Sequence, residues 1–134
     1  MVFFGAGAAN VKYLLLIYGN EQSRQIWDQM SAENRLTGLE AYDDLTAELA
    51  SAGELIAAEA LADPSTGRRV TVTEDQQVVV ADGPYAEVKE LVSGFYLIDC
   101  ETEQRAIEIA AKVPEAAFGL VEVRPVMALD DFLT

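Results

Sequence analysis

Residues 12–18 of this 134-residue chain read KYLLLIY, an apolar run that stops at Gly19 and Asn20. An unbroken apolar run of this length predicts a strand that is covered on both faces. Residues 94–100 read GFYLIDC and predict a second strand of the same kind. These two strands decide the fold, because the rest of the molecule has to cover them.

The first predicted helix follows a polar stretch that holds the only tryptophan, Trp27. It is expected to begin near Ser31 and to end at Gly53, because serine caps helix starts and glycine favours helix ends. Its apolar residues recur every three or four positions and define one face: Leu36, Leu39, Tyr42, Leu45 and Leu49. Residues 54–61 then predict a second strand.

A β-hairpin is predicted next, with strands at residues 70–73 and 77–81, after turn residues at 63–67. Residues 85–90 predict a short helical turn. Thr102 is expected to cap a helix that runs to Val113, with four residues facing inward: Ala106, Ile107, Ala110 and Val113. Residues 120–126 predict the last strand, which Pro125 places at a sheet edge.

The predicted order is strand, helix, strand, inserted hairpin, strand, helix, strand. This order is that of a ferredoxin-like, split βαβ sheet of the α+β class, in one domain. Two helices can cover only one face of such a sheet. Since residues 14–17 and 95–98 are apolar on both faces, a second copy of the chain is the simplest cover. The sequence therefore predicts a homodimer in which two sheets meet as a dimeric α+β barrel.

The composition excludes several classes of function. Nine Lys and Arg against 23 Asp and Glu give a net charge of -14, which argues against nucleic acids and anionic membranes as partners. No apolar run approaches the ~20 residues of a membrane span, so a cytoplasmic location is expected. The chain has no histidine, which excludes Ser-His-Asp and Cys-His mechanisms and the commonest metal ligand. No cofactor and no metal are expected, and Cys100 is expected to be a buried, unreactive side chain.

Three blocks carry a family resemblance: residues 11–18 (VKYLLLIY), residues 82–90 (DGPYAEVKE) with 94–99, and residues 121–126 (VEVRPV). Together they resemble the DGPF branch of the YCII-related proteins, whose signature reads DGPFAETKE. This chain departs from it with Tyr85 for Phe and Val88 for Thr. The resemblance spans Val11 to about Val126 and implies the dimeric ferredoxin-like fold. Residues 11–134 are expected to form one domain, with residues 1–10 as an N-terminal extension.

The resemblance implies less about function. Other YCII-related proteins present a His-Asp pair that looks catalytic, and a chain without histidine cannot carry that pair. Members of the DGPF branch are often encoded beside extracytoplasmic-function sigma factors, which implies a possible sigma-factor association. A fold by itself does not define an activity.

Two residues of the DGPY segment are candidate catalytic groups, Asp82 and Lys89. Turn chemistry explains Asp82, Gly83 and Pro84 without a ligand, and Lys89 either binds an anion or acts as a base, or is a solvated surface charge. Tyr85 and Glu87 are candidate ligand-binding groups beside them.

Four further residues are candidate ligand-binding groups: Arg69, Arg124, Tyr18 and Trp27. If the valines of the last strand face the helices, Arg124 points into the dimer interface, and Arg69 is expected to do likewise. Two arginines would suit a small anionic ligand, or equally salt bridges between subunits. Tyr18 and Trp27, the latter in the loop after the first strand, are placed to line a pocket mouth, or to pack in the core or the dimer.

Three functions remain open on this basis. The first is a small-molecule pocket that works without metal or histidine, for binding alone or for acid–base chemistry. The second is a protein-interaction module that partners a sigma factor. The third is a structural remnant that kept the fold and lost the family's chemistry with its histidine.

Overall fold

A computed structural model describes residues 11–85 and 87–133 of the chain. The strands are β1 (Val11–Gly19), β2 (Leu55–Ala60), β3 (Arg68–Val72), β4 (Val78–Asp82), β5 (Leu91–Cys100) and β6 (Val121–Pro125). The helices are α1 (Glu21–Gln29), α2 (Ala32–Ser51) and α3 (Glu103–Ala110). Short 3₁₀ helices span Pro64–Thr66, Pro114–Phe118 and Leu129–Leu133. None of the helices in the described part is long and apolar enough to cross a membrane.

Four strands form one sheet in the order β2-β5-β1-β6, and every neighbouring pair is antiparallel. β3 and β4 form a separate hairpin. This is the ferredoxin-like α+β arrangement with an inserted hairpin, so the predicted fold class is confirmed. The strand that ends at Pro125 lies at an edge of the sheet, as its proline predicts.

Alternate residues of the central strands form the core beneath α2 and α3. Tyr13, Leu15 and Ile17 of β1 are buried together with Tyr96 and Ile98 of β5. The helices contribute the apolar residues Leu45, Leu49, Ala106, Ile109 and Ala110. Cys100 belongs to the same core, and burial raises the pKa of its thiol. The expectation of a small buried side chain at Cys100 is confirmed.

The opposite side of the sheet, which we call the open face, carries the other half of each apolar run. Leu14 pairs with Leu97, and Leu16 pairs with Phe95. These four side chains are half-buried. Val121 and Val123 pack against the core on the first side, so Arg124 lies on the open face, as the strand phase predicts.

Both helix caps that the sequence predicts are present. The Ser31 hydroxyl accepts from the Asn34 N–H at 3.1 Å, and the Thr102 hydroxyl accepts from the Arg105 N–H at 3.0 Å. α2 ends before Gly53, whose φ of 74° lies in the left-handed region that favours glycine.

Several local predictions are wrong. Trp27 lies in helix α1 and not in a loop, because Asn20 and Ser23 cap a short, mostly polar helix in which Ile26 and Trp27 are the apolar residues. Leu36 and Leu39 are 57% and 51% exposed, so only the second half of α2 lies over the core. Ile107 is also exposed.

Ile109 takes the inward place predicted for Ile107, because the buried residues of α3 follow the spacing Ala106, Ile109, Ala110. α3 ends at Ala110, three residues before the predicted end. In the segment predicted as a short helical turn, the described residues form no helix. The Val88 N–H donates to the Tyr85 carbonyl at 3.1 Å and closes a single turn there.

Candidate functional site

A cleft lies between α1, α2, the loop after β2 and the 3₁₀ helix after α3. It consists of two adjoining cavities of about 440 and 690 Å³. Six residues line both cavities: Arg24, Trp27, Tyr42, Asp63, Ser93 and Glu115. We call the pair of cavities the central cleft. Concave sites of this size with a few converging polar groups are where proteins usually bind small molecules.

The wall that carries Trp27 is fixed by the caps of α1. At its start the Asn20 side chain accepts from the Ser23 N–H at 2.8 Å, and the Ser23 hydroxyl accepts from the Asn20 N–H at 2.9 Å. At its end Arg35 of α2 donates to the Trp27 carbonyl at 3.0 Å. The Arg35 guanidinium also lies over the indole ring, 5.3 Å from its centroid.

α1 and α2 approach closely at Gly38. A Cβ atom at this position would lie 3.8 Å from Cζ3 of Trp27, an ordinary contact distance. Gly38 also lines the smaller cavity. A larger side chain here would therefore extend into the cavity beside the indole.

The floor of the cleft holds a tyrosine bonded to a carboxylate. The Tyr42 hydroxyl lies 2.5 Å from both carboxylate oxygens of Glu115 and donates to that carboxylate. Burial, and then the hydrogen bond to Glu115, raise the pKa of Tyr42 far above its ordinary value. Tyr42 therefore keeps its proton at any physiological pH and serves as a hydrogen-bond donor.

Further hydroxyls hold the backbone of this part of α2. The Thr46 hydroxyl donates to the Tyr42 carbonyl at 2.8 Å, and the Tyr96 hydroxyl donates to the same carbonyl at 3.2 Å. Burial raises the pKa of Tyr96 as well. Glu115 itself comes from the 3₁₀ helix that Pro114 begins and that Gly119, at a φ of 70°, ends.

The charges in the cleft are unevenly paired. The Asp63 carboxylate accepts from the Ser65 hydroxyl and N–H, which lower its pKa, and the positive charge of Arg24 acts in the same direction. Glu115 is the half-buried carboxylate of the lining, and in the part of the chain that the structure describes it forms no ion pair. Its partner is the neutral Tyr42 hydroxyl.

The structure brings two of the predicted residues, Tyr18 and Trp27, to this cleft. Tyr18 also connects the cleft to the open face, because its hydroxyl donates to Glu122 at 2.7 Å. Glu122 in turn pairs with Arg124 at 2.6 Å. These contacts raise the pKa of Tyr18, through its bond to Glu122, and lower the pKa of Glu122, through its bonds to Tyr18 and Arg124.

Three more predicted residues meet at the base of the hairpin. The Arg69 guanidinium lies 4.3 Å from the centroid of the Tyr85 ring and donates to the Asp82 carbonyl at 3.3 Å. The Asp82 carboxylate pairs with Arg68 at 3.6 Å and is 89% exposed. Asp82 is thus the last residue of β4 and pairs with Arg68 across the open end of the hairpin.

The remaining predicted residues, Glu87 and Lys89, are exposed. The lining residues of the central cleft include none of the hairpin-base residues, and neither Lys89 nor Arg124. The predicted set is therefore divided between the cleft, the open face and the hairpin base. A catalytic role for Asp82 and Lys89 stays a prediction.

In the sequence Tyr42 is one position of the apolar face of a helix, and no motif singles out Glu115. No group of three or more acidic or cysteine side chains among residues 11–85 and 87–133 is arranged to hold a metal ion. The chemistry that the described cleft offers is that of phenols, several carboxylates, an arginine and an indole.

The fold and the cleft define a class of protein: a ferredoxin-like α+β domain with an inserted hairpin and a helix-side cleft built without histidine. Residues 11–130 match the model of the YCII-related domain, and the chain belongs to this family. It is 32% identical over 115 residues to an uncharacterized protein of Rhizobium meliloti (strain 1021). That match covers 84% of this chain and 90% of the relative. The name of the relative states no activity.

Proposed function

We propose that this YCII-related protein binds a small molecule in the central cleft. The observation that carries the proposal is the Tyr42–Glu115 hydrogen bond inside a concave, aromatic lining. A phenol that keeps its proton donates it to the neighbouring carboxylate, and the oxygens of the pair leave several free acceptor positions for a ligand. A tyrosine in a cleft whose pKa is raised by burial and by a carboxylate partner is a candidate functional group.

The lining supports binding of a compound with a flat apolar part. Trp27, Tyr42 and Phe118 line the smaller cavity together with Ile26 and Met30. Aromatic walls of this kind bury apolar ligand surface at about 25 cal/mol per Å². The polar groups of Tyr42 and Glu115 at the floor would orient such a compound.

The single tryptophan makes this proposal directly measurable. Because Trp27 lines both cavities, its emission reports on what enters the cleft. We expect aromatic compounds added to the purified protein to change Trp27 emission in a saturable manner. Gly38→Leu should place its side chain in the smaller cavity beside Trp27 and weaken binding at least about tenfold, since the ligand loses space and apolar contact there.

Gly38→Ala is the matched control, because a Cβ at this position meets only the ordinary 3.8 Å contact with Trp27. It should bind as the parent does. Circular dichroism confirms that both variants keep their helices. A cleft that binds no aromatic compound, or a Gly38→Leu variant that binds as tightly as the parent, would refute the proposal.

We also propose that the protein works as a homodimer joined through the open face. Leu14, Leu16, Phe95 and Leu97 form a row of apolar side chains on a face that α2 and α3 do not cover. On the same face, one carboxylate oxygen of Asp99 is buried without a hydrogen-bond partner in the described chain. Such groups usually find a partner, and a donor from a second subunit would supply one.

The dimer proposal is tested by sedimentation equilibrium at micromolar concentration. The parent should sediment at twice the chain mass. Leu16→Glu places a charge in the centre of the proposed interface and should sediment at the mass of one chain, because an unpaired buried charge costs several kcal/mol. Val70→Glu on the exposed hairpin is the control for the added charge. A parent that sediments as a monomer would contradict the dimer.

A further inference from the structure

Glu115 differs from the other half-buried glutamates of the chain. Glu54 is held by Arg105 at 2.8 Å, and Glu122 is held by Arg124 at 2.6 Å. Glu115 has the Tyr42 hydroxyl as its partner, and none of the ion pairs among the described residues includes it. A neutral donor satisfies hydrogen-bonding positions of a carboxylate but leaves its charge uncompensated.

The other residues of the cleft lining make the interaction of Glu115 with a cation stronger. Arg24 is the cationic residue of the lining, and its charge acts on Asp63, whose pKa it helps to lower. The other charged lining residues are the carboxylates of Asp28, Asp43 and Glu59. A carboxylate in a partly apolar, partly screened setting interacts with an ion more strongly than it does in water.

The aromatic lining favours the same sign of ligand charge. The face of an indole ring attracts cations, and Trp27 already holds the Arg35 guanidinium in this way. Arg35 does not line either cavity, so the surface that Trp27 presents to the cleft is free of this guanidinium. Tyr18, Tyr42 and Phe118 add further π systems to the smaller cavity.

From these observations we infer that the ligand of the central cleft is a small organic cation, an amine with an aromatic or otherwise apolar body, whose ammonium group pairs with Glu115. The inference rests on the proposed small-molecule function and specifies its ligand class. The Tyr42 hydroxyl holds the Glu115 carboxylate in place while the ammonium donates to its oxygens. The apolar body lies against Trp27 and Phe118.

This sign is opposite to that of the anionic ligand that the sequence predicts. The anionic prediction rests on Arg69, Arg124 and Lys89, which are absent from the lining of the central cleft. A site for an anion at those residues and a site for a cation in the cleft would be independent of each other. Trp27 emission reports on binding in the cleft alone, because Trp27 lines both of its cavities.

The test uses three probes that share a phenyl group and differ in charge: phenethylammonium, 2-phenylethanol and 3-phenylpropionate. Each is titrated into the purified parent protein at pH 7 and 0.15 M salt, and Trp27 emission is followed. Phenethylammonium should bind at least about tenfold more tightly than the other two, because hydrogen bonds to charged partners are the strong ones. 3-Phenylpropionate should bind most weakly.

Two variants separate Glu115 from the general acidity of the protein. Glu115→Gln keeps an oxygen acceptor near the Tyr42 hydroxyl and removes the charge. It should weaken the binding of phenethylammonium about tenfold and leave the affinity for 2-phenylethanol within about twofold of that of the parent. Glu48→Gln changes the net charge equally, and Glu48 pairs with Lys112 and is not a lining residue. It should bind all three probes as the parent does.

The outcomes distinguish the inference from the function on which it rests. If none of the three probes changes Trp27 emission, the binding site is refuted and the cation preference falls with it. If the probes bind but 3-phenylpropionate binds as tightly as phenethylammonium, only the cation preference is overturned. Equal binding of phenethylammonium by the parent and by Glu115→Gln also overturns it.

Discussion

Replacing Tyr42 by phenylalanine removes one oxygen atom from the floor of the central cleft and tests the contact on which the proposed site depends. In the parent that oxygen donates to Glu115 at 2.5 Å. The phenyl ring of the variant keeps the packing of α2 against the core, because the change adds no atom. Any effect on stability therefore reports on the hydrogen bond.

The magnitude follows from the burial of the pair. A hydrogen bond to a charged group contributes about 1.5–3 kcal/mol to the free energy of unfolding. Tyr42 and Glu115 are only half-buried, so water partly replaces the lost donor. We therefore expect a loss at or below the lower end of this range, about 1–1.5 kcal/mol, which lowers the Tm of a domain of this size by about 4–5 °C.

The assay is urea unfolding followed by circular dichroism, because Trp27 emission responds to the cleft as well as to unfolding. Tyr42→Phe, Glu115→Gln and the double variant form a double-mutant cycle. The two single losses should not add, and a coupling of about 1 kcal/mol is expected. A Tyr42→Phe variant within about 0.3 kcal/mol of the parent, or additive losses, would refute the reasoning.

Three further predictions follow from the fold around the site. Arg105→Ala leaves Glu54 without its ion-pair partner and should lower the free energy of unfolding by about 2 kcal/mol at pH 7. Because Arg105 lowers the pKa of Glu54 in the folded protein, this loss of stability, measured by urea unfolding, should shrink as the pH falls below about 4.5. A loss that does not depend on pH would contradict this prediction. Gly38→Ala should stabilise the protein by about 0.5–1 kcal/mol in the same assay through helix propensity, and a loss of stability would mean that Trp27 cannot accommodate the methyl group. Because the pKa of Tyr42 is raised in the folded protein, Tyr42 contributes fully to the free energy of unfolding below pH 10.0 and progressively less above it. The decrease should be less than about 1.4 kcal/mol per pH unit, since Tyr42 is partly exposed. Tyr42→Phe should make the stability less dependent on pH in thermal melts between pH 9 and 11, and an unchanged slope would refute the assignment.

The sheet could be predicted because its signal is local. The apolar runs at residues 12–18 and 94–100 correspond to β1 and β5, which pair along their full length. Helix α1 could not be predicted in this way, because it buries none of its residues and has only two apolar residues, Ile26 and Trp27. Its signal is the pair Asn20 and Ser23, which cap each other.

The inward faces of the helices are harder to predict, because the spacing of apolar residues alone does not decide which of two neighbouring faces packs against the sheet. Ile107 and Ile109 of α3 both fit an apolar face, and packing against β1 and β6 selects Ile109. Leu36 and Leu39 continue the period of α2 beyond the part that covers the core. Sequence periodicity does not show where the sheet below a helix ends.

The site could be predicted only in part, because its chemistry depends on pairing across the chain. Tyr18 and Trp27 were expected at a pocket mouth and line the cleft. Tyr42 and Glu115 are 73 residues apart, and only the packing of α2 against the 3₁₀ helix brings them together. The DGPY segment stands out in the sequence, and in the structure its Asp82 and Tyr85 hold the base of the hairpin.

The most direct test of the central claim is the indole N–H signal of Trp27 in a ¹H–¹⁵N spectrum. The chain has one tryptophan, so the signal needs no assignment. During titration with phenethylammonium the signal should move and saturate in the parent, and it should move far less in the Gly38→Leu variant. A Trp27 signal that stays in place throughout the titration of the parent would contradict ligand binding in the central cleft.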